Sequence, residues 1–152
     1  MIKTLAFALM LAAAPTVFAN APVAVDANDF AAQRASIEKD LADGKTYAEI
    51  SAADRTKVRA SLDQMTALLE GGRTPESLTP DQKVELYNQQ ETVNTILTQA
   101  RADSRVICDR RAATGSHRKT STCSTVAERE RRRNQDQQTL QRNQRAPLPV
   151  RN

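Results

Sequence analysis

Hydrophobic positions are arranged along this chain in two ways: one unbroken run at the start, then residues returning at helical spacing. The run, Leu5 to Val17, follows a basic start at Lys3 and leads into Val17-Phe18-Ala19, with small residues at both sieve positions. A run this short, containing Pro15, suits a cleavable secretory signal over residues 1–19 rather than a membrane span of about 20 residues. Cleavage is expected after Ala19, because cleavage after Ala21 would leave Pro22 at the first mature position. The mature chain then starts at Asn20, and residues 20–28, which have no helical period, read as a flexible lead-in.

Residues 29–104 read as a helical body of three amphipathic helices. Phe30, Ile37 and Leu41 recur near multiples of 3.6, with Asn28 placed to cap the first helix and Gly44 where a left-handed C-terminal residue is wanted. The second opens at Ser51-Ala-Ala-Asp54, a cap followed three residues later by a carboxylate able to reach back, with Ile50 ahead for a staple-like contact. Its Val58, Leu62, Met65 and Leu69 form one stripe, and Gly71-Gly72 ends it. Leu78-Thr79-Pro80-Asp81-Gln82 announces the third, combining an N′ hydrophobe, a Thr cap, proline at the first position and a capping-box glutamine. Val84, Leu86, Tyr87, Val93, Ile96, Leu97 and Ala100 supply its apolar face, while Gln89, Gln90 and Asn94 read as a polar edge.

The period changes at Arg105-Val106-Ile107-Cys108, and residues 105–123 read as a hairpin. Gly115-Ser116 is a two-residue turn signal of the II′ kind, glycine first. Pairing counted outward from that loop sets Thr114 against His117 and Cys108 against Cys123. These are the only two cysteines, and export places them where thiols oxidise, so a disulfide is expected from compartment alone. Turn and disulfide arrive at the same register. Counted from a hydrogen-bonded Thr114/His117 pair, however, Cys108/Cys123 falls at another hydrogen-bonded pair, where a direct bridge needs twist or a bulge.

Residues 124–152 read as a basic polar tail. Thr125 to Glu128 forms a capping-box pattern and Glu128/Arg132 an i,i+4 ion pair. Val126, Ala127 and Leu140 are too few for a stripe, which leaves an exposed polar helix or one that frays after about Arg133, ending in Ala146-Pro147-Leu148-Pro149.

Composition narrows the core and charge divides the molecule. Past the signal the aromatic residues are Phe30, Tyr47 and Tyr87, so the core must be small and aliphatic, and a domain of this size is only modestly stable unless stapled. Asn20 to Ala100 carries 8 Lys+Arg against 13 Asp+Glu, whereas Arg101 to Asn152 carries 13 against 5. An acidic body therefore bears a basic end.

Candidate chemistry is sparse. A metal site would need Cys108, His117 and Cys123 with a carboxylate such as Asp109, a spacing that matches no compact zinc pattern, and a cystine cannot ligate as thiolate. The single histidine, His117, has no carboxylate placed to orient it, and the acids are scattered without aromatics to wall a sugar cleft, so neither a catalytic residue nor a cofactor is expected. The basic residues remain: Arg105, Arg110, Arg111, Arg118 and Lys119 on the hairpin, with Arg129, Arg131, Arg132 and Arg133 opening the tail. Nucleic acid is the usual counterpart of such a cluster, but an exported protein seldom meets it. Anionic envelope lipids or polymers, or a protein partner, fit the compartment better, and without interleaved Trp, Phe or Leu the contact would be by charge rather than insertion. The competing reading is a solvated basic face that complements the acidic body.

The segment "ICDRRAATGSHRKTSTC", Ile107 to Cys123, resembles one found in small uncharacterised secreted proteins of proteobacteria, where "CRR…TGSR" precedes a second cysteine and an Arg-rich end. The resemblance implies export and a cystine hairpin, and carries no activity with it. The resulting expectation is a mainly α protein: a small bundle of three amphipathic helices, a disulfide-closed β-hairpin, and a polar, partly disordered C-terminal helix. Functionally it is an exported non-enzymatic protein binding anionic envelope components or a partner through hairpin and tail. The alternative is a small periplasmic enzyme or enzyme inhibitor using the helical body, which a cleft lined by acids of perturbed pKa would favour.

Overall fold

Apolar spacing of 3.6 residues and strong start signals give helices where expected, and their shared stripe is the core. The computed structural model describes residues 22–24, 29–112, 114–115 and 117–145, so the signal segment, the Asn28 cap, Ser116 and the Ala146-Pro147-Leu148-Pro149 tail lie outside the described residues. The molecule is mainly helical. Helices α1 (Phe30–Ala42), α2 (Ala52–Leu69) and α3 (Pro80–Ser104) precede a two-stranded antiparallel hairpin, β1 (Val106–Ala112) and β2 (Lys119–Thr125), and a fourth helix, α4 (Val126–Arg145), follows it.

Caps fix the helix starts. At α3 the Thr79 Oγ1 accepts from the Gln82 N–H at 3.3 Å while Gln82 Oε1 accepts from the Thr79 N–H at 3.1 Å, a complete capping box with Pro80 at the first position. At α2 the Ser51 hydroxyl accepts from the Asp54 N–H at 3.0 Å and donates to Asp54 Oδ2 at 2.7 Å, so the carboxylate reaches back to the hydroxyl instead of the backbone. Gly71 and Gly72, both at φ +74°, carry the chain out of α2 in a conformation that a β-carbon disfavours.

The Glu49 N–H donates to Ser104 Oγ at 2.9 Å, which sets the start of α2 beside the end of α3 and makes the two antiparallel. Val58, Leu62 and Met65 of α2 join Leu86, Val93, Leu97 and Ala100 of α3 in one cluster, closed by Phe30, Ile37 and Leu41 of α1 and by Tyr47, Ile50 and Leu78. Val84 and Tyr87 do not belong to it: they are 61% and 52% exposed. At about 100° per residue, Val84 lies nearly opposite Leu86 and Tyr87 a quarter turn away, whereas Val93, Leu97 and Ala100 stay within about 40° of it.

One expectation about the ends needs correction, and one alternative left open is resolved. The lead-in is docked where it is described: Val23 is buried, its N–H donates to Asn94 Oδ1 at 2.7 Å, and its carbonyl accepts from Gln90 Nε2 at 2.7 Å and Asn94 Nδ2 at 3.2 Å. Of the amides read as a polar edge, Gln90 and Asn94 are therefore partners for buried backbone, while Gln89 donates to Glu85 Oε1 at the surface. At the other end, α4 continues past Arg133 to Arg145 with no buried residue; of the two alternatives it is the exposed polar helix, half-buried only from Val126 to Arg129. Its own ion pairs, Arg132–Glu128 and Arg133–Glu130, follow helical spacing and support it where no core does.

Candidate functional site

The hairpin has the register that the cysteines and the turn predict. Its ladder runs from Val106↔Thr125 through Cys108↔Cys123 to Ala112↔Lys119, and the two cysteines form a disulfide. The hydrogen-bond phase is the reverse of the expected one. Just below the ladder the Val126 N–H donates to the Arg105 carbonyl at 3.0 Å, so Arg105/Val126 is a hydrogen-bonded pair and, alternating upward, Cys108/Cys123 is a narrow one. The 4.0 Å between their Cα atoms agrees, and neither a bulge nor extra twist is required to bring the sulfurs together. The described ladder ends at Ala112↔Lys119, and Gly115 beyond it has φ +81°.

That register sorts the basic residues onto two faces. Ile107, Asp109 and Arg111 share one face with Ser124, Thr122 and Thr120, and α4 lies against its base. Here Arg129 ties helix to hairpin three times: Nη1 pairs with Asp109 Oδ2 at 2.9 Å, Nη2 donates to the Ile107 carbonyl at 2.8 Å, and Nε donates to Ser124 Oγ at 3.1 Å. Arg111 stands farther out on this face, 85% exposed, with only a 3.7 Å approach to Asp109. The opposite face carries the cystine, Arg110 and Lys119, all exposed. Arg110 and Lys119 are diagonal neighbours across the strands, and neither forms an ion pair among the described residues. Arg118 and His117 follow just beyond the ladder, exposed at the tip.

The basic end is bolted to the acidic body through a residue the sequence did not single out. Glu49, in the α1–α2 connection, has a side chain only 17% exposed, and it accepts from Arg131 Nη1 at 2.7 Å and from the Thr125 hydroxyl at 2.6 Å. Thr125 also accepts from the Glu128 N–H at 3.0 Å, which makes it at once the cap of α4 and a strut to the body. Of the four tail arginines offered as anion ligands, Arg129 and Arg131 are thus engaged in holding the fold, while Arg132 and Arg133 sit in exposed pairs whose energetic weight is small.

Arg131 and the Thr125 hydroxyl hold the Glu49 carboxyl below its ordinary value of 4.5. A lowered carboxyl contributes stability that is fully present above 4.5 and is lost as pH falls through its folded-state value. Acidification below about 4.5 should therefore speed amide exchange in the first turns of α4, and Glu49→Gln should exchange fast there already at neutral pH. An acid-insensitive α4 base would assign its anchoring to Arg129 alone.

Among the described residues no group of three or more His, Cys, Asp or Glu is placed to hold a metal ion, and no helix is long and apolar enough to cross a membrane. The sequence reading missed Glu49, Gln33, Gln90 and Asn94. For Gln90 and Asn94 a signal existed: they stand within about 80° of Leu86 on the buried side of α3, and amides beside an apolar stripe need partners. For Glu49 none did, because its partner is 82 residues away in sequence. No protein-family model, no curated protein and no solved structure matches this chain.

Proposed function

We propose that this is an exported, non-enzymatic protein that binds anionic cell-envelope components through the outward face of its cystine hairpin. The observation that carries the reading is the pairing of Arg110 and Lys119 on a face turned away from α4, exposed and without a carboxylate partner among the described residues. Arg111, Arg118, Arg132 and Arg133 add to the positive field around that face, while Arg129 and Arg131 keep the hairpin and α4 fixed to the acidic body. A stapled hairpin holds its cations in place before contact, so binding spends little entropy on ordering them. Export rests on the N-terminal apolar segment and on the disulfide, which persists in oxidising compartments.

Each basic side chain near an anionic bilayer contributes about 1 kcal/mol. Arg110→Gln with Lys119→Gln should therefore cut partitioning onto phosphatidylglycerol-rich vesicles about thirtyfold at low salt, and the unmodified protein should lose binding steeply as salt is added. These substitutions remove no ion pair or side-chain hydrogen bond among the described residues, so near-unchanged melting is the control. Binding by the double variant equal to that of the parent, or binding indifferent to salt, would mean that the hairpin cations are only a solvated face.

A further inference from the structure

The segment Pro22–Ala24 lies against α3 and α1 as a strap, and side chains hold it chiefly by its main chain. Asn94 offers one acceptor and one donor to the same residue, taking the Val23 N–H at 2.7 Å and the Val23 carbonyl at 3.2 Å, as a neighbouring β-strand would. Gln90, one turn earlier on α3, gives that carbonyl a second donor at 2.7 Å, and Gln33 of α1 accepts from the Ala24 N–H at 3.1 Å. The Val23 side chain is buried in the common cluster. Beside the strap a cavity of 460 Å³ continues between the helices, with Asp29, Ser36, Thr98 and Arg101 among its polar lining.

Three amides aimed at backbone and one apolar socket form a recognition site for an extended polypeptide with a small aliphatic anchor. Because the amides read main-chain groups that every peptide carries, the interaction does not depend on the strap being covalently joined to α1. We infer that the α1/α3 groove is a peptide-binding site whose resident ligand is the chain's own Pro22–Ala24, and that it accepts an extended Pro-Val-Ala-type peptide in trans once the strap is removed. In cis the strap holds the site at high effective concentration, which keeps free peptide out of the intact protein. The groove is separate from the basic hairpin, and each reading stands or falls without the other.

The test uses a fluorescein-labelled peptide of residues 20–26, Asn-Ala-Pro-Val-Ala-Val-Asp, titrated by anisotropy. A chain beginning at Asp29 should bind it saturably, and a chain beginning at Asn20 should not. Asn94→Leu in the shortened chain removes donor and acceptor at similar volume and should weaken binding at least about tenfold. Should the shortened chain fail to fold, Val23→Asp in the chain from Asn20 ejects the strap by burying a carboxylate badly, and peptide binding is read there instead, again against Asn94→Leu. A variant with native helical circular dichroism that does not bind the peptide, or that binds equally with Leu at position 94, overturns the inference.

Discussion

Replacing Cys108 and Cys123 by serine is expected to melt the hairpin while leaving the three-helix body helical. The bridge closes a separation of 15 residues, for which the chain-entropy estimate is about 3 kcal/mol. The hairpin has little else of its own to lose: among the fourteen described residues of its two strands only Ser124 is buried, and an isolated two-stranded hairpin is marginal in water. Hydrogen exchange is the measurement. Slow amides at the hydrogen-bonded positions Ile107, Asp109, Ser124 and Thr122 should become fast in the serine variant, while the α2 and α3 amides keep their protection. Persistent protection in the ladder would instead credit Arg129 and the Arg105/Val126 pair with holding the hairpin shut.

Local signals in the sequence were reliable where the physics is local. Ser51, Thr79 and Gln82 cap as their side-chain chemistry dictates, and the Cys108/Cys123 register follows from where the chain must turn. Phase did not follow from register, because register alone leaves the alternation of wide and narrow pairs open, and only a bond such as Val126 N–H to Arg105 O settles it. The partners in long-range polar contacts were illegible for a related reason, even where, as at Asn94, the place beside the apolar stripe signals that a partner is needed. Glu49 with Arg131 and Asn94 with Val23 join residues 82 and 71 apart, and no periodicity encodes such a pairing. The tail arginines illustrate the cost: as a sequence cluster Arg129 and Arg131 look equivalent to Arg132 and Arg133, yet the first two are structural and the others exposed.

Leu62→Ala should be among the most damaging single substitutions in the body. Leu62 is fully buried in a cluster of fourteen side chains to which neither the hairpin nor α4 contributes a residue, so the body depends on that cluster alone. Truncating a buried leucine costs about 2–5 kcal/mol through lost transfer energy and the cavity left behind, against about 5–15 kcal/mol for a whole domain. Urea unfolding followed by helical circular dichroism should move to markedly lower midpoints, whereas Tyr87→Ala, at a residue 52% exposed, should shift it little. A loss below about 1 kcal/mol for Leu62→Ala would contradict the packing described here. The contrast with the serine variant then locates stability in the molecule. Helical signal is expected to depend on Leu62 and not on the cystine, and ladder protection on the cystine. The joint between the two, Arg131 with Glu49 and Thr125, is polar, and the lowered Glu49 carboxyl makes it the contact expected to loosen first on acidification, before the body unfolds.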